Sequence, residues 1–419
     1  MDIKTLNSLI EERKDELFKI LCDLIKINSE NFGEHGNEEE CAKFIHKLCQ
    51  DLGLESDLYS PLDLEGFTDN PDYYPGRNLE KRYNVTARWK GVENKDELMI
   101  MGHHDTVPIG DVANWSFEPL LGEVRDGKVL GRGACDDKYA LATTLFLIKI
   151  LKDNGFKPRA NLVFAAYSDE EFGGSHGAMA AVMKYPCTRI VNLDGRDNQI
   201  WHCASGGGEI YFKYHTVNTV DSAKLTARAI PVIMDEIEKF QQNRCDELEE
   251  NRFYKGTIIP KTSLRYLDVH AGDNGFDLGV GSLKFVFYTV KTKEEIYKEF
   301  EYLTNEINKK LEPMGVVADG FFPATRFFHY GYSEPDHESI KDMVSAAKEA
   351  TGEDVLVCGS CLSDLSVILK YGNNSAYGFG AGIDFSEPGG AHQPDEYISC
   401  DRLVSFTKKI GVYILKYLG

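Results

Sequence analysis

The chain has 419 residues, 42% of them hydrophobic and 27% charged, and its formal net charge is −20. This length predicts two domains, and the composition is ordinary for a soluble globular enzyme. The acidic charge argues against nucleic acid or an anionic membrane as a partner. The ten cysteines lack the density of a disulfide scaffold, no apolar run approaches the ~20 residues of a membrane span, and the N-terminus has no signal-peptide pattern, so we expect a cytoplasmic protein.

The first half of the chain alternates helices with strands. Helical apolar spacing predicts helices over Ile3–Ile27 and Glu38–Leu52, and Glu55–Lys81, rich in Pro, Gly and Asp, is predicted to be a long loop. The elements predicted next are strands Tyr83–Trp89 and Glu97–Met101, helix Lys138–Lys152, strand Ala160–Tyr167, helix Ser175–Met183 and strand Arg189–Leu193. Strands that are apolar throughout and alternate with helices indicate an α/β fold with a mostly parallel sheet covered by helices.

The pattern changes near residue 205. The elements predicted from there are strand Glu209–Val217, helix Ala223–Glu250, strands Ser263–Val269 and Ser282–Val290, helix Lys293–Leu311 and a strand near Phe321–Phe328. This β-α-β-β-α-β order is that of a ferredoxin-like α+β domain.

The alternation of strands and helices returns after Asp336. The predicted elements are helix Glu338–Ala350, strand Val355–Val357, helix Asp364–Tyr371, strand Ala376–Phe379 and helix Asp401–Leu418. We therefore predict a catalytic α/β domain formed by residues 1–204 and 333–419, into which residues 205–332 are inserted as a second domain.

The first candidate site lies at the end of a predicted strand, in Met99-Ile-Met-Gly-His103-His104-Asp105. Side chains two residues apart in a strand point to the same face. His103 and Asp105 can therefore lie side by side, as a metal-binding imidazole and the carboxylate that orients it do.

Four further clusters contain acidic residues or histidine, and most of them follow a predicted strand. They are Asp136-Asp137, Glu170-Glu171, Asn192-Leu-Asp194 and the segment His392-Gln-Pro-Asp395-Glu396. Because the carboxyl ends of parallel strands meet at one edge of a sheet, these side chains can converge there. Two imidazoles and three carboxylates suit zinc, cobalt or manganese, and five protein ligands suit two ions that share one carboxylate.

Each cluster also has a simpler interpretation. A single histidine is more often a core residue than a ligand, Asp136 or Asp137 can cap the next helix, and adjacent acids usually form a solvated turn. Five such clusters in one order are harder to attribute to chance. Gly173-Gly-Ser175-His-Gly177 fits the G-x-S-x-G motif of serine hydrolases and makes Ser175 an alternative nucleophile. That motif requires the strand to run straight into the serine, whereas residues 168–174 intervene here.

Taken in order, the clusters resemble the co-catalytic metallopeptidase family that includes acetylornithine deacetylase, succinyl-diaminopimelate desuccinylase, aminoacylase-1, carboxypeptidase G and the bacterial dipeptidases. The resemblance implies that one metal is held by His103, Asp136 and Asp194, and the other by Asp136, Glu171 and His392. It also implies that Glu170 is the general base, that Asp105 orients His103, and that the peptide bond between Asp136 and Asp137 is cis.

The resemblance implies hydrolysis of an amide bond in a small peptide or an N-acyl amino acid. A hydroxide that bridges two divalent ions would attack the carbonyl, and Glu170 would carry the proton to the leaving nitrogen. Zinc is the expected metal, with cobalt or manganese as alternatives. An aspartate at position 194 is frequent among aminopeptidases and dipeptidases, and a glutamate among carboxypeptidases and deacylases, so dipeptidase and deacylase both stay open. A catalytically silent binding protein on the same fold is an alternative from another class.

The inserted domain is implied to act as a lid over the site and to form a homodimer. His215, Asn274 and Arg265 are the candidates for substrate binding in this lid, where the chain departs most from the family pattern. A second departure is Tyr139, which follows Lys138 where the family usually has glycine and implies a different pocket floor.

Overall fold

Two units of different architecture make up the chain in a computed structural model, which describes residues 1–273 and 277–419. The larger unit comprises Met1–His202, Tyr332–Cys358 and Val367–Gly419, and the smaller unit comprises Cys203–Gly331 and Gly359–Ser366. The larger unit is therefore assembled from both ends of the chain.

The elements are numbered in chain order. The helices are α1 Ile3–Glu12, α2 Lys14–Ile25, α3 Glu39–Asp51, α4 Lys138–Asp153, α5 His176–Lys184, α6 Ser222–Glu250, α7 Lys293–Leu311, α8 Glu338–Thr351, α9 Leu365–Val367 and α10 Cys400–Leu418. The strands are β1 Glu55–Tyr59, β2 Asn84–Trp89, β3 Glu93–His103, β4 Glu123–Arg125, β5 Lys128–Leu130, β6 Ala160–Tyr167, β7 Arg189–Asn192, β8 Gln199–Ala204, β9 Gly206–Thr216, β10 Leu264–Gly272, β11 Val280–Thr289, β12 Val316–Pro323, β13 Gly331–Tyr332, β14 Val357–Ser360, β15 Tyr377–Gly380 and β16 Tyr397–Ser399. Within the described residues, no helix combines the length and the apolar character that a membrane span requires.

The larger unit is built on a sheet in which β1, β2, β6, β3, β7, β15 and β8 lie side by side in that order. The central strands β6, β3, β7 and β15 are parallel, and β1, β2 and β8 are antiparallel to their neighbours. Every residue of β6 is buried, as expected of a strand in a covered sheet, and α3, α4 and α10 pack against this sheet. The predicted α/β fold is confirmed, and the carboxyl ends of β6, β3 and β7 share one edge.

A buried lysine ties the first turn of α4 to the end of α2. Nζ of Lys138 donates to the carbonyl oxygens of Leu24, at 3.0 Å, and Ile27, at 2.9 Å. The last carbonyls of a helix have no partner within the helix, and a cation satisfies them well. Because α4 begins directly after Asp137, this contact fixes the start of the helix beside the Asp136-Asp137 pair.

The smaller unit has the predicted ferredoxin-like order. Its antiparallel sheet has the strand order β10-β11-β9-β12, and α6 and α7 pack against it. Aromatic rings fill the core between sheet and helices, with Phe300 stacked on Phe321 at 4.2 Å and Phe212 packed edge-on against Phe321 at 4.9 Å between ring centroids. The separate antiparallel sheet is thus confirmed.

Several local predictions differ from the structure. The first helix is split at Arg13, whose guanidinium pairs with Glu16 and Asp153. The predicted loop 55–81 begins with β1, a strand whose polar composition suits the sheet edge that it occupies. Strand β8 was not predicted; it carries the polar residues Gln199 and His202 among apolar ones, follows a turn, and ends two residues before β9 begins. Asn274 lies outside the described residues.

Candidate metal centre

Asp136 lies between two histidine side chains. Its Oδ1 is 3.0 Å from Nε2 of His103, and its Oδ2 is 3.1 Å from Nε2 of His392. The same nitrogen of His392 is 3.1 Å from Oε2 of Glu171, and His103, Asp136 and Glu171 each offer a ligand atom within 4.8 Å of the others. A carboxylate that presents a different oxygen to each of two imidazoles has the form of a ligand shared between two ions.

Asp194 belongs to the same electrostatic cluster. It follows β7, which pairs with β3, the strand that ends at His103. Burial raises the pKa of Asp194 to about 7; the charges of Asp136 and Glu171 act in the same direction, while those of His103 and His392 oppose it. A carboxyl that is costly to ionise among other carboxylates becomes stable as an anion beside a cation. The environment of Asp194 therefore favours a bound cation.

Both histidines of the cluster carry a proton more readily than an ordinary histidine. Burial by itself would lower the pKa of His103, but its contacts with Asp105 and Asp136 raise that pKa well above the usual value. Burial opposes the charge on His392 too, yet its contacts with Glu171 and Asp136 raise its pKa to about 11. A metal ion binds the neutral imidazole, so metal binding must displace these protons.

Asp105 holds the turn that carries the two glutamates. Its carboxylate accepts the backbone N–H groups of Glu170, at 3.0 Å, and Glu171, at 3.1 Å, and the side-chain amide of Asn31 at 2.8 Å. Nδ1 of His103 lies 2.9 Å from the carbonyl oxygen of Asp105 and 3.6 Å from its carboxylate. Asp105 therefore orients His103 mainly through its backbone, while its carboxylate, buried and hydrogen-bonded, positions the turn.

A network of buried ion pairs fixes the same turn from behind. Oδ1 of Asp169 lies 3.0 Å from Nη1 of Arg77 and 2.9 Å from Nη1 of Arg82, and Arg82 also pairs with the buried Glu38. Arg77 further donates to the carbonyl oxygen of Phe172. Buried charges are tolerated when each has a partner of opposite sign. The two glutamates between Asp169 and Phe172 are thus held on both sides.

A buried glutamate fixes the loop that carries Asp136. Oε1 of Glu396 accepts the N–H groups of Cys135, at 2.9 Å, and Asp136, at 3.2 Å, and its Oε2 lies 2.6 Å from Nη1 of Arg132. The peptide bond between Asp136 and Asp137 is cis, as the resemblance implied.

The sequence analysis missed the pairing of Glu396 with Arg132. The single available signal was the position of Glu396 in the cluster that begins at His392. No local pattern distinguishes an exposed acid from one that binds backbone N–H groups 260 residues away.

Ser175, the alternative nucleophile, is fully buried. The adjacent His176 has both ring nitrogens engaged: Nδ1 lies 2.5 Å from Oδ2 of Asp169, and Nε2 accepts the N–H of Tyr74 at 3.2 Å. A general base needs a ring nitrogen that is available for the proton of the serine. The geometry therefore gives no support to a serine mechanism.

The residues predicted to bind substrate belong to the smaller unit. His215, on β9, has Nδ1 2.8 Å from Oδ1 of Asp319, and Arg265 is exposed on β10, opposite Val286. Asn274 is not described. A role of these residues in substrate binding stays a prediction.

The cluster in the larger unit fits divalent metal ions. Imidazole nitrogens and carboxylate oxygens converge at 3.0–3.1 Å, and Nδ1 of His103 has a backbone partner that leaves Nε2 directed at Asp136. A metal-binding histidine usually has such a partner on its other nitrogen. Mixed nitrogen and oxygen donors suit zinc, cobalt and manganese.

Comparison with known proteins agrees with this centre. An uncharacterized metallohydrolase of Methanococcus maripaludis is 30% identical over 450 aligned residues, which cover 94% of this chain and 97% of that protein. A succinyl-diaminopimelate desuccinylase of Wigglesworthia glossinidia brevipalpis is 38% identical over 151 residues, 35% of this chain and 38% of that enzyme. The solved structure of the di-peptidase Dug1p from Saccharomyces cerevisiae shares the fold, with a TM-score of 0.74 at 15% identity over 99% of this chain and 98% of that one.

The model of the Peptidase family M20/M25/M40 matches residues 99–415. This range covers well over half of the chain and contains His103, Asp136, Glu171, Asp194 and His392. The resemblance drawn from the motifs is confirmed: the chain belongs to Peptidase family M20/M25/M40 and is a metal-dependent hydrolase that acts on peptide and amide bonds.

Proposed function

We propose that the protein binds two divalent ions and hydrolyses an amide bond in a dipeptide or an N-acyl amino acid. The observation that carries the proposal is the position of Asp136, whose two carboxylate oxygens lie 3.0 and 3.1 Å from His103 and His392. One ion would be held by His103, Asp136 and Asp194, and the other by Asp136, Glu171 and His392. The donor set favours zinc, with cobalt or manganese as alternatives.

The bound ions would polarise the amide carbonyl and make a water acidic near neutral pH. The chain supplies the proton transfer. Glu171 is committed to the N–H of Val107 and to His392, so we assign the role of base to its neighbour Glu170, whose backbone is fixed by Asp105. Glu170 takes a proton from the attacking water and delivers it to the leaving nitrogen, as one carboxylate can serve first as base and then as acid.

Two substrate classes have separate support. The di-peptidase Dug1p shares the fold over nearly the whole chain, which supports dipeptides. The desuccinylase is 38% identical over 151 residues, which supports N-acyl amino acids.

A substrate panel tests the proposal. Dipeptides, N-acetyl amino acids and N-succinyl amino acids are assayed after the metal-free protein has been loaded with zinc, cobalt or manganese. We expect hydrolysis of at least one class, loss of this activity with a chelator, and its return with added metal. Hydrolysis that resists the chelator would contradict the proposal. Substrate binding without turnover by metal-loaded protein would favour the silent binding protein instead.

We further propose that residues 205–332 act as a lid and form a homodimer. The support is the resemblance, together with the division of the chain into two units. Light scattering at assay concentration tests the dimer, and a monomeric mass would contradict it.

A further inference from the structure

The hydroxyl of Tyr139 contacts the backbone on both sides of Asp194. It lies 2.6 Å from the carbonyl oxygen of Leu193 and 3.1 Å from that of Gly195, and it accepts the N–H of Ala381 at 2.9 Å. Tyr139 is fully buried, in the first turn of α4. One side chain of this helix is therefore bonded to the loops that follow β7 and β15, two neighbouring parallel strands.

These contacts fix the backbone around Asp194 more firmly than the hydrogen bond of its own N–H does. Within the part of the chain that the structure describes, the N–H of Asp194 has a single long contact, 3.4 Å, with Oδ1 of Asn192. The two carbonyls that flank Asp194, by contrast, share the hydroxyl proton of Tyr139. The ring of Tyr139 packs edge-on against Phe406 at 5.6 Å between centroids, and this packing fixes the position of the hydroxyl. Buried backbone groups need such partners, and their loss allows the backbone to shift.

We propose that Tyr139 is a positioning residue that aims Asp194 at the ion it shares with His103. The inference rests on the proposed function, because it takes Asp194 as a ligand. Since Asp136, Glu171 and His392 receive no hydrogen bond from Tyr139 among the described contacts, the effect is confined to one of the two ions. A partner that orients a ligand from behind changes metal affinity by ~10–100-fold.

The test is a titration of metal-free Tyr139→Phe with cobalt, in which calorimetry and visible absorption measure the binding of each ion. Wild-type protein is expected to bind two equivalents. Tyr139→Phe is expected to bind one equivalent with wild-type affinity and the other ~10–100-fold more weakly. The matched control is Tyr413→Phe, which removes the hydroxyl of a buried tyrosine on α10 of the same unit and should leave both affinities unchanged.

Two results overturn the inference: Tyr139→Phe binds both ions as wild type does, or it loses both ions to the same extent. If wild-type protein binds no cobalt, the proposed function fails and this inference fails with it. If wild-type protein binds two ions and Tyr139→Phe matches it, only the inference about Tyr139 fails.

A second variant covers the case in which Tyr139→Phe does not fold. Tyr139→4-aminophenylalanine keeps the ring and places N–H donors near the carbonyls of Leu193 and Gly195. It is expected to bind two equivalents with wild-type affinities. Selective loss of one ion by this folded variant would overturn the assignment of the positioning role to these two hydrogen bonds.

Discussion

Glu170 and Glu171 are neighbours in the chain, yet their contacts differ. The carboxylate of Glu171 is buried and bound, with Oε1 3.0 Å from the N–H of Val107 and Oε2 3.1 Å from His392. Glu170 is half-buried, and its backbone N–H is bound to Asp105. The two roles that we propose, ligand for Glu171 and base for Glu170, agree with this difference in contacts.

The first prediction separates these two roles. Glu170→Gln should lower kcat by ~10²–10⁴-fold, the usual contribution of a general base, while two equivalents of cobalt still bind. Glu171→Gln is the matched control, because it removes a ligand and should lose one ion. Full activity of Glu170→Gln would remove our assigned base, and loss of metal from it would make it a ligand instead.

The second prediction concerns protons at the metal centre. The pKa values of His103 and His392 are raised, the latter to about 11. His392 is therefore protonated in metal-free protein at about pH 7, and loading with metal should release at least one proton. Calorimetry in buffers of different ionisation enthalpy measures this release. Release of no protons would contradict the assignment of the two imidazoles as ligands.

The raised pKa of His392 also makes the stability of the metal-free protein depend on pH. The pKa of His392 in the folded protein is raised from the usual value of 6.5 to about 11. Its contribution to the stability of metal-free protein is therefore complete below pH 6.5 and is lost as the pH rises through about 11.

Strand ends and the loops after them carry the proposed ligands. Whether an element could be predicted depended on how strongly its burial or its capping residues mark the local sequence. Strand β6 and helix α7 were predicted with both boundaries as observed. The strand is buried throughout, and the helix begins with a capping box between Thr292 and Glu295. The edge strand β1 and the break at Arg13 were missed, because a polar edge and a contact with Asp153 leave no local apolar pattern.

The third prediction tests the loop that carries Asp136. Glu396→Gln should lower the free energy of unfolding by about 3–5 kcal/mol, because Arg132 is left buried without its anionic partner, and should weaken cobalt binding by ~10–100-fold. Urea unfolding and cobalt titration measure the two effects. Glu11→Gln removes an exposed ion pair with Lys408 and should cost less than about 1 kcal/mol. Equal effects of the two variants would contradict the role of Glu396.

At the scale of the whole molecule, the five proposed ligands all belong to the larger unit, although they are spread from His103 to His392. The last of them follows the segments of the smaller unit in sequence. A metal centre of this kind therefore joins segments that are far apart in the chain. The signal for it in the sequence was the position of acidic and histidine clusters after predicted strands, together with the family resemblance.

The fourth prediction follows from that distribution. Metal binding should stabilise the larger unit, by about 4 kcal/mol for each bound ion at a thousandfold excess of free metal over Kd, while the smaller unit changes little. Amide hydrogen exchange with and without zinc measures both units in one experiment. Wild-type protection that rises equally in α6 and in α4 would contradict it, and Glu171→Gln, with one ligand removed, should show a reduced gain.

The hydrogen bonds between Lys138 and the end of α2 connect the first helices to the start of α4, beside the Asp136-Asp137 pair. A protease that trimmed residues 1–27 would remove no ligand, yet it would take away both acceptors of a buried ammonium group. The ammonium group, at the first residue of α4, would then have to be hydrated or lose its proton. Limited digestion of the amino-terminal helices should therefore inactivate the enzyme even though every metal-binding side chain survives the cut.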